Sequence, residues 1–255
     1  MYSFLRKPRW VFGHLLALFV VILFVNLGFW QLRRLDQRRD FNSTVEARRA
    51  APVTHLPADM WRRVEVSGRW APERQVLVRN RSFEGRPGYH VLTPLVLEGG
   101  DSAVYVNRGW VPLEREGEEP SAGPALPDGE VTVEGWLRPS EKRGVFGPTD
   151  PAEGVLHVLN RADLDRLRKQ SPWDVYPAVL VLESATPATS GDTPALLPGP
   201  ELTERNHLSY AVQWFSFAAI VAIGWPLVLR RHAQSQRRPE LSVDRVRGDG
   251  DRVAL

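Results

Sequence analysis

The sequence predicts a membrane protein of α+β class. Two transmembrane helices flank a mainly antiparallel-β extracytoplasmic domain, a sheet or small barrel, with one short helix. Three observations predict it. Residues 10–32 run for 23 positions without a charge, and residues 208–229 for a further 22. About 20 apolar residues span a hydrocarbon core roughly 30 Å thick. Between the two runs the apolar period changes to two, in short segments cut by Gly and Pro.

The elements follow in order. Residues 1–9 form a cytoplasmic N-terminus and 10–32 the first transmembrane helix, with His14, Asn26 and Gln31 as its clearly polar members. The run is too long for a signal peptide and lacks a small-x-small cleavage site, so it reads as a signal anchor. Residues 33–61 are charged helix formers and then a linker, with Pro52 and Pro57 ending the helix. Residues 62–184 make the β-rich domain. "RRVEVSGRW", "RQVLVRN", "YHVLTPLVL", "SAVYVNRGWVPL", "GEVTVEGWLRP", "GVLHVLN" and "YPAVLVLES" are its strand candidates. Asn160 reads as the cap of a helix over 161–170, with Leu164 and Leu167 inward. A Pro-rich linker covers 185–206 and the second transmembrane helix 207–229. Residues 230–255 are polar and aperiodic, which predicts a disordered cytoplasmic tail.

Orientation follows the arginines. Arg205 alone closely precedes the second helix, whereas Arg230, Arg231, Arg237 and Arg238 follow it. That predicts a multi-pass membrane protein with both termini cytoplasmic and the central domain outside; the arginine-rich composition is compatible with a bacterial source and hence a plasma (inner) membrane. Arg33, Arg34, Arg38 and Arg39, just outside the first helix, run against the same rule and require another role.

Composition narrows the chemistry. The chain has no cysteine and only two methionines, Met1 and Met60. This removes disulfides, thiolate metal sites and the soft ligands of copper carriers. Arginine outnumbers lysine 30 to 3, a bias expected of a GC-rich genome, and the net charge is only +3. No basic, aromatic-interleaved surface points to nucleic acid. No phosphate loop, dinucleotide fingerprint, zinc-protease motif or nucleophile elbow occurs, so no catalytic residues are assigned and no enzyme is expected. The six histidines, 14, 55, 90, 157, 207 and 232, are scattered. The acidic residues of "PLEREGEEP" read as solvated loop charges.

His207 is the prominent candidate. Tyr210, Ala211, Trp214 and Ala218 lie within about 60° of it on a helix. Such a stripe can be read in two ways. Alanines leave room for a flat ligand, aromatics stack on it, and a neutral imidazole ligates haem iron. Alternatively, an interface histidine sits in an ordinary aromatic belt. Trp30, Gln31, Arg33 and Arg34 should be level with His207, Tyr210 and Trp214. Asn26, Trp30 and Arg33 or Arg34 share a face that could meet an anionic group or lipid phosphate. In the sheet, Arg108 of "VNRGW" reads as buried against a carboxylate or carbonyls, and His90 as facing solvent.

With the layout complete, the chain resembles the Surfeit-locus-1-type family, the cytochrome c oxidase assembly factors. The resemblance covers about residues 10 to 230. It rests on "LGFWQLRRLDQR", "RPGYHVLTPL", "VYVNRGWVP", "VEGWLRPSE" and "NHLSYAVQWFSFA" in family order. It implies maturation of the haem-copper oxidase around haem a insertion, with the large catalytic subunit as partner. It extends to haem a synthase and other respiratory-complex subunits, in the lipid bilayer. His207 falls on the family's suspected haem contact, and Trp30 and Arg33 in its first-helix motif. Gly88, Tyr89, Pro94, Asn107, Arg108, Gly109 and Trp110 fall in its sheet motifs. The implied haem a set is His207 (iron), Tyr210, Trp214, Trp30 and Arg33. The implied partner surface is Trp30, Gln31, Trp214, Phe217, Arg108 and Trp110. The rival expectation is a permanent accessory subunit of the oxidase or a respiratory supercomplex, packing without haem contact.

Overall fold

Pro8, whose fixed φ suits a first helical turn, opens helix α1, Pro8–Ala50, which ends just before Pro52. The structure, a computed structural model, describes residues 3–113, 125–141, 158–188 and 194–250. His157, the acidic stretch from 114 and the start of the strand expected at 154 lie outside the described residues. The chain divides into two units, Met1–Asn42 with Leu202–Leu255, and Ser43–Glu201.

In the first unit, α1 continues helical past its apolar run. It is accompanied by helix α3, His207–Gly250. By length and composition, α1 and the His207–Ser235 part of α3 are each apolar enough to cross a membrane. The backbone of α3 is helical over residues where composition predicts a disordered tail. The arginines, glutamines and alanine that follow residue 229 are good helix formers, and they propagate the helix.

The second unit is built on strands β1 (Arg63–Trp70), β2 (Val76–Phe83), β3 (Arg86–Leu97), β4 (Ser102–Pro112) and β5 (Glu130–Pro139). Then come β6 (Val158–Leu159), helix α2 (Leu164–Gln170) and β7 (Asp174–Thr186). The sheet order is β1-β5-β7-β4-β3-β2-β6, and β1 also pairs with β3. That pairing, Gly68↔Leu97 to Trp70↔Leu95, closes β1, β5, β7, β4 and β3 into a ring. β3 can serve both neighbours because it is long. Its first half pairs with β2 and its last residues with β1.

The sheet is mixed, mainly antiparallel as expected but with two parallel pairings. β4 pairs with β7, and β2 with β6, in parallel. Parallel neighbours need a crossover, and the α2 segment supplies the approach to β7. Inward valines and leucines of the ring, among them Val64, Leu95, Val106, Val133 and Leu180, form the main core. A second core lies between α2 and the sheet, with Leu92, Tyr105, Leu164 and Leu167. α2 is shorter than expected and is capped by Asp163, whose Oδ1 accepts from Asp165 N and Arg166 N. Asn160 instead accepts a hydrogen bond from Arg79 Nε.

Candidate functional site

Helices α1 and α3 pack along a seam with matched spacing. On α1 the seam runs through Phe24, Gly28, Gln31 and Leu35. On α3 it runs through His207, Ala211, Trp214 and Ala218. Gln31 is only 9% exposed, and Leu35, Ala211 and Ala218 are buried. The 4-3-4 spacing is that of a helix-pairing stripe. Near the start of α3, His207 Nδ1 donates to Gln31 Oε1 at 2.9 Å. One helical turn or two further along, Phe24 meets Trp214 at 5.5 Å between ring centroids. Gly28 gives way to Phe215, whose ring atom would lie 2.6 Å from a Cβ there. The alanines are therefore covered by α1 and leave no slot between the helices for a flat ligand.

The flanks of the seam differ. Phe29 meets Phe215 edge to face on one side. On the other, Phe24, Trp214 and Phe217 form a cluster. Steps of about 100° per residue put Tyr210 of α3, and Trp30 and Arg34 of α1, on this second flank. Trp30, Tyr210 and Phe217 are exposed there. Arg34 lies over the Trp30 ring at 5.7 Å. Arg33, expected beside His207, is about 170° from the seam and points away from α3. Asn26 donates to Ile22 O within its own helix.

Two of the arginines outside the apolar run, Arg38 and Arg39, bind the chain that enters α3. Arg39 makes a two-pronged pair with Glu204, at 2.7 and 3.1 Å. Arg38 Nε and Asn42 Nδ2 both donate to Thr203 O. The pairing raises the Arg39 pKa and lowers that of Glu204. Both side chains are solvent-exposed, so this strap orients more than it stabilises. At the other end of the pair, Trp225 Nε1 donates to His14 Nδ1 at 2.9 Å, and Trp10 stacks obliquely on His232 at 4.7 Å.

The sheet motifs do a different job. The β3–β4 register shifts between Val91↔Gly109 and Leu92↔Asn107, which leaves Arg108 as the extra residue of a β-bulge. Arg108 and Trp110 are each 3% exposed, so these two residues of the expected partner surface are buried in the domain instead. Arg108 Nη1 donates to Gln75 Oε1, which also accepts from Thr93 Oγ1. Nη2 is buried without a partner. Of the carboxylate or carbonyls expected, the arginine thus meets the carbonyl oxygen of a neutral side-chain amide. Burial lowers its pKa to about 10. His90 does not face solvent. It is partly buried and accepts from Asn107 Nδ2, whose own Oδ1 accepts from Gly109 N. Trp110 Nε1 donates to Arg81 O, and Arg81 and Arg138 both pair with Glu141.

A family model described as the SURF1 family matches residues 18–219. The chain belongs to the SURF1 family. Similar proteins include a SURF1-like protein of Mycobacterium tuberculosis, 28% identical over 250 residues, covering 92% of this chain and 89% of the relative. One from Monosiga brevicollis is 28% identical, covering 83% and 85%. One from Rickettsia conorii is 24% identical, covering 82% and 88%.

The SURF1 match spans both seam stripes and the whole ring of strands. Within it, Gly28 and Leu35 were not singled out from the sequence. The signal for Gly28 was present, because a small residue in an apolar helix marks a close approach. Leu35 sits among charges and gave none. Gln31 was singled out for an external partner, whereas its amide turns inward to His207.

Proposed function

We propose that this SURF1-family protein is an assembly factor of the haem-copper cytochrome c oxidase. It assists haem a insertion into, or stabilisation of, the large catalytic subunit, and has no catalysis of its own. The carrying observation is the His207 imidazole. It is partly exposed, is hydrogen-bonded to Gln31, and lies by a flank that exposes Trp30, Tyr210 and Phe217. An imidazole with aromatic neighbours suits the iron and the flat ring of a haem. Arg34, stacked on Trp30, is the guanidinium on that flank and suits a propionate better than Arg33 does. When bound, haem a would supply the redox iron destined for the oxidase. The protein's part is to hold and orient it, in contact with the large subunit and, upstream, haem a synthase.

The setting is a bacterial plasma membrane, on the arginine-rich composition, with both termini cytoplasmic and the strand domain outside, on the arginine asymmetry of α3. A second reading has its own support. Ala211 and Ala218 are sealed by α1, as in a packing subunit of the oxidase or a supercomplex that never touches haem.

The test is the optical spectrum of protein purified in detergent from cells that make haem a, beside His207→Ala. Haem a in the wild type and not in the folded variant supports the carrier. Oxidase subunits co-purifying with both, without haem, sinks it and favours the packing subunit.

A further inference from the structure

Two histidines of the helix seam, His207 and His14, are bonded in opposite senses. Gln31 Oε1 can only accept, so the His207 bond at 2.9 Å requires the proton on Nδ1. Trp225 Nε1 can only donate, so the 2.9 Å bond to His14 requires a bare Nδ1 and a proton on Nε2. A ring nitrogen ligates through its lone pair, and which nitrogen is free is set by the bond the other makes.

We propose that Gln31 is a positioning residue that holds the His207 proton on Nδ1 and leaves Nε2 as an open ligating nitrogen. This rests on the reading of His207 as an iron ligand. Three features support it. The Gln31 side chain is nearly buried on the seam, so its amide is held in place by packing. Residues 203 and 204, just before α3, are bound to Arg38, Arg39 and Asn42, which fixes the start of the helix that carries His207. Finally, Trp225 occupies Nδ1 of His14 toward the other end of the seam, so the neutral form of that ring presents an N–H rather than a lone pair at Nε2. The bonds to Gln31 and Trp225 therefore leave opposite ring nitrogens free at His207 and His14. A bond from the far ring nitrogen to an oxygen acceptor is the arrangement that fixes the orientation and basicity of ligating histidines, and its loss costs about 10–100-fold in metal affinity.

The test uses the full chain in nanodiscs, without haem, with ¹⁵N-labelled histidine. Signals are assigned by His207→Ala and His14→Ala. The expected result is Nδ1 protonated and Nε2 bare at His207, with the reverse at His14. Gln31→Leu should release the proton to Nε2 of His207. Gln31→Glu, which keeps an oxygen at the same reach, should retain the wild-type tautomer. Hemin titrated into the same samples should then bind about 10–100-fold more weakly to the Leu variant and near wild-type strength to the Glu variant. A wild-type His207 protonated on Nε2, or a Leu variant with an unchanged tautomer, overturns the proposal. If the tautomers behave as expected but hemin binds none of the samples, the lock stands and the iron-ligand reading falls.

Discussion

Gly28 of α1 lies under the ring of Phe215 of α3, so close that a Cβ on the glycine would sit 2.6 Å from Phe215 Cε1. Gly13 and Trp225 repeat the relation near the other end, also at 2.6 Å. For helices apolar enough to cross a bilayer, lipid supplies no hydrophobic drive to meet, so close contact must hold them. Gly28→Ile should therefore weaken the pair by about 1–3 kcal/mol, the usual range for overpacking. Phe215→Ala in the same chain should restore part of it. Thermal unfolding in detergent measures both, and equal melting of wild type and Gly28→Ile would contradict the seam.

Gly109 carries a second backbone constraint. Its φ is 135°, and a Cβ there would meet Ala195 O at 2.3 Å. That carbonyl accepts from Trp110 N at 2.8 Å, and Ala195 N returns a bond to Trp110 O. The glycine of "VNRGW" thus lets the Pro-rich segment dock on β4. We expect Gly109→Ala to cost about 1–3 kcal/mol through the strained φ alone. Hydrogen exchange should quicken at Trp110 and Ala195 first, before the amides of β5.

Arg108 is a buried cation held by an amide. Truncating it to alanine should cost about 2–4 kcal/mol, since the stem leaves a cavity. Methionine fills much of that volume and removes the buried charge. Gln75 Oε1 keeps its bond from Thr93 in either variant. Arg108→Met should therefore be near neutral or stabilising, as for other buried charges replaced by apolar side chains. Urea unfolding of the two variants separates the cases. Equal losses would mean that the guanidinium itself stabilises the bulge.

Much of this could be read from the chain, and what could not has physical causes. Both apolar helices and the alternating strands follow from period and length. The His207, Ala211, Trp214, Ala218 stripe also follows, because α3 mixes small and aromatic residues around its axis. The facing side of α1 does not. Residues 10–32 are apolar all round, so no moment tells Gln31 from Trp30, and Arg33 was placed with His207 on depth alone. Closure of the ring depends on β3 outrunning β2, which pairing, not propensity, decides. Asn160 and Asp163 are both good caps by residue type, and only the fold decides between them, because Arg79 claims the asparagine and Asp163 caps α2. The burial of Arg108 is legible in "VNRGW", whereas that of Trp110 is not, because a β-bulge shifts the alternation between them.

His90 makes the domain sensitive to acid. Burial first, then the nearby Arg81 and Arg138, hold its pKa at about 4 against an ordinary 6.5, while Glu141 acts the other way. Asn107 Nδ2 donates to its Nδ1, which also suits the neutral ring. The unfolded chain therefore takes up a proton on His90 before the folded one does. Stability contributed by the neutral ring is intact above the unfolded value, falls as pH drops from about 6.5 toward 4, and levels off below. At about pH 5 the loss should be about 2 kcal/mol relative to neutral pH. Glu141 is also held below its ordinary value, its arginine partners outweighing the burial that opposes them. A carboxyl of that kind loses its contribution only under more acid conditions, so the window between pH 5 and pH 7 reports His90. Urea unfolding of wild type and His90→Gln across that window is the measurement. The variant should be less stable at neutral pH yet lose that much less on acidification. Parallel curves would mean that His90 is protonated in the folded domain and that the Asn107 bond does not hold it neutral.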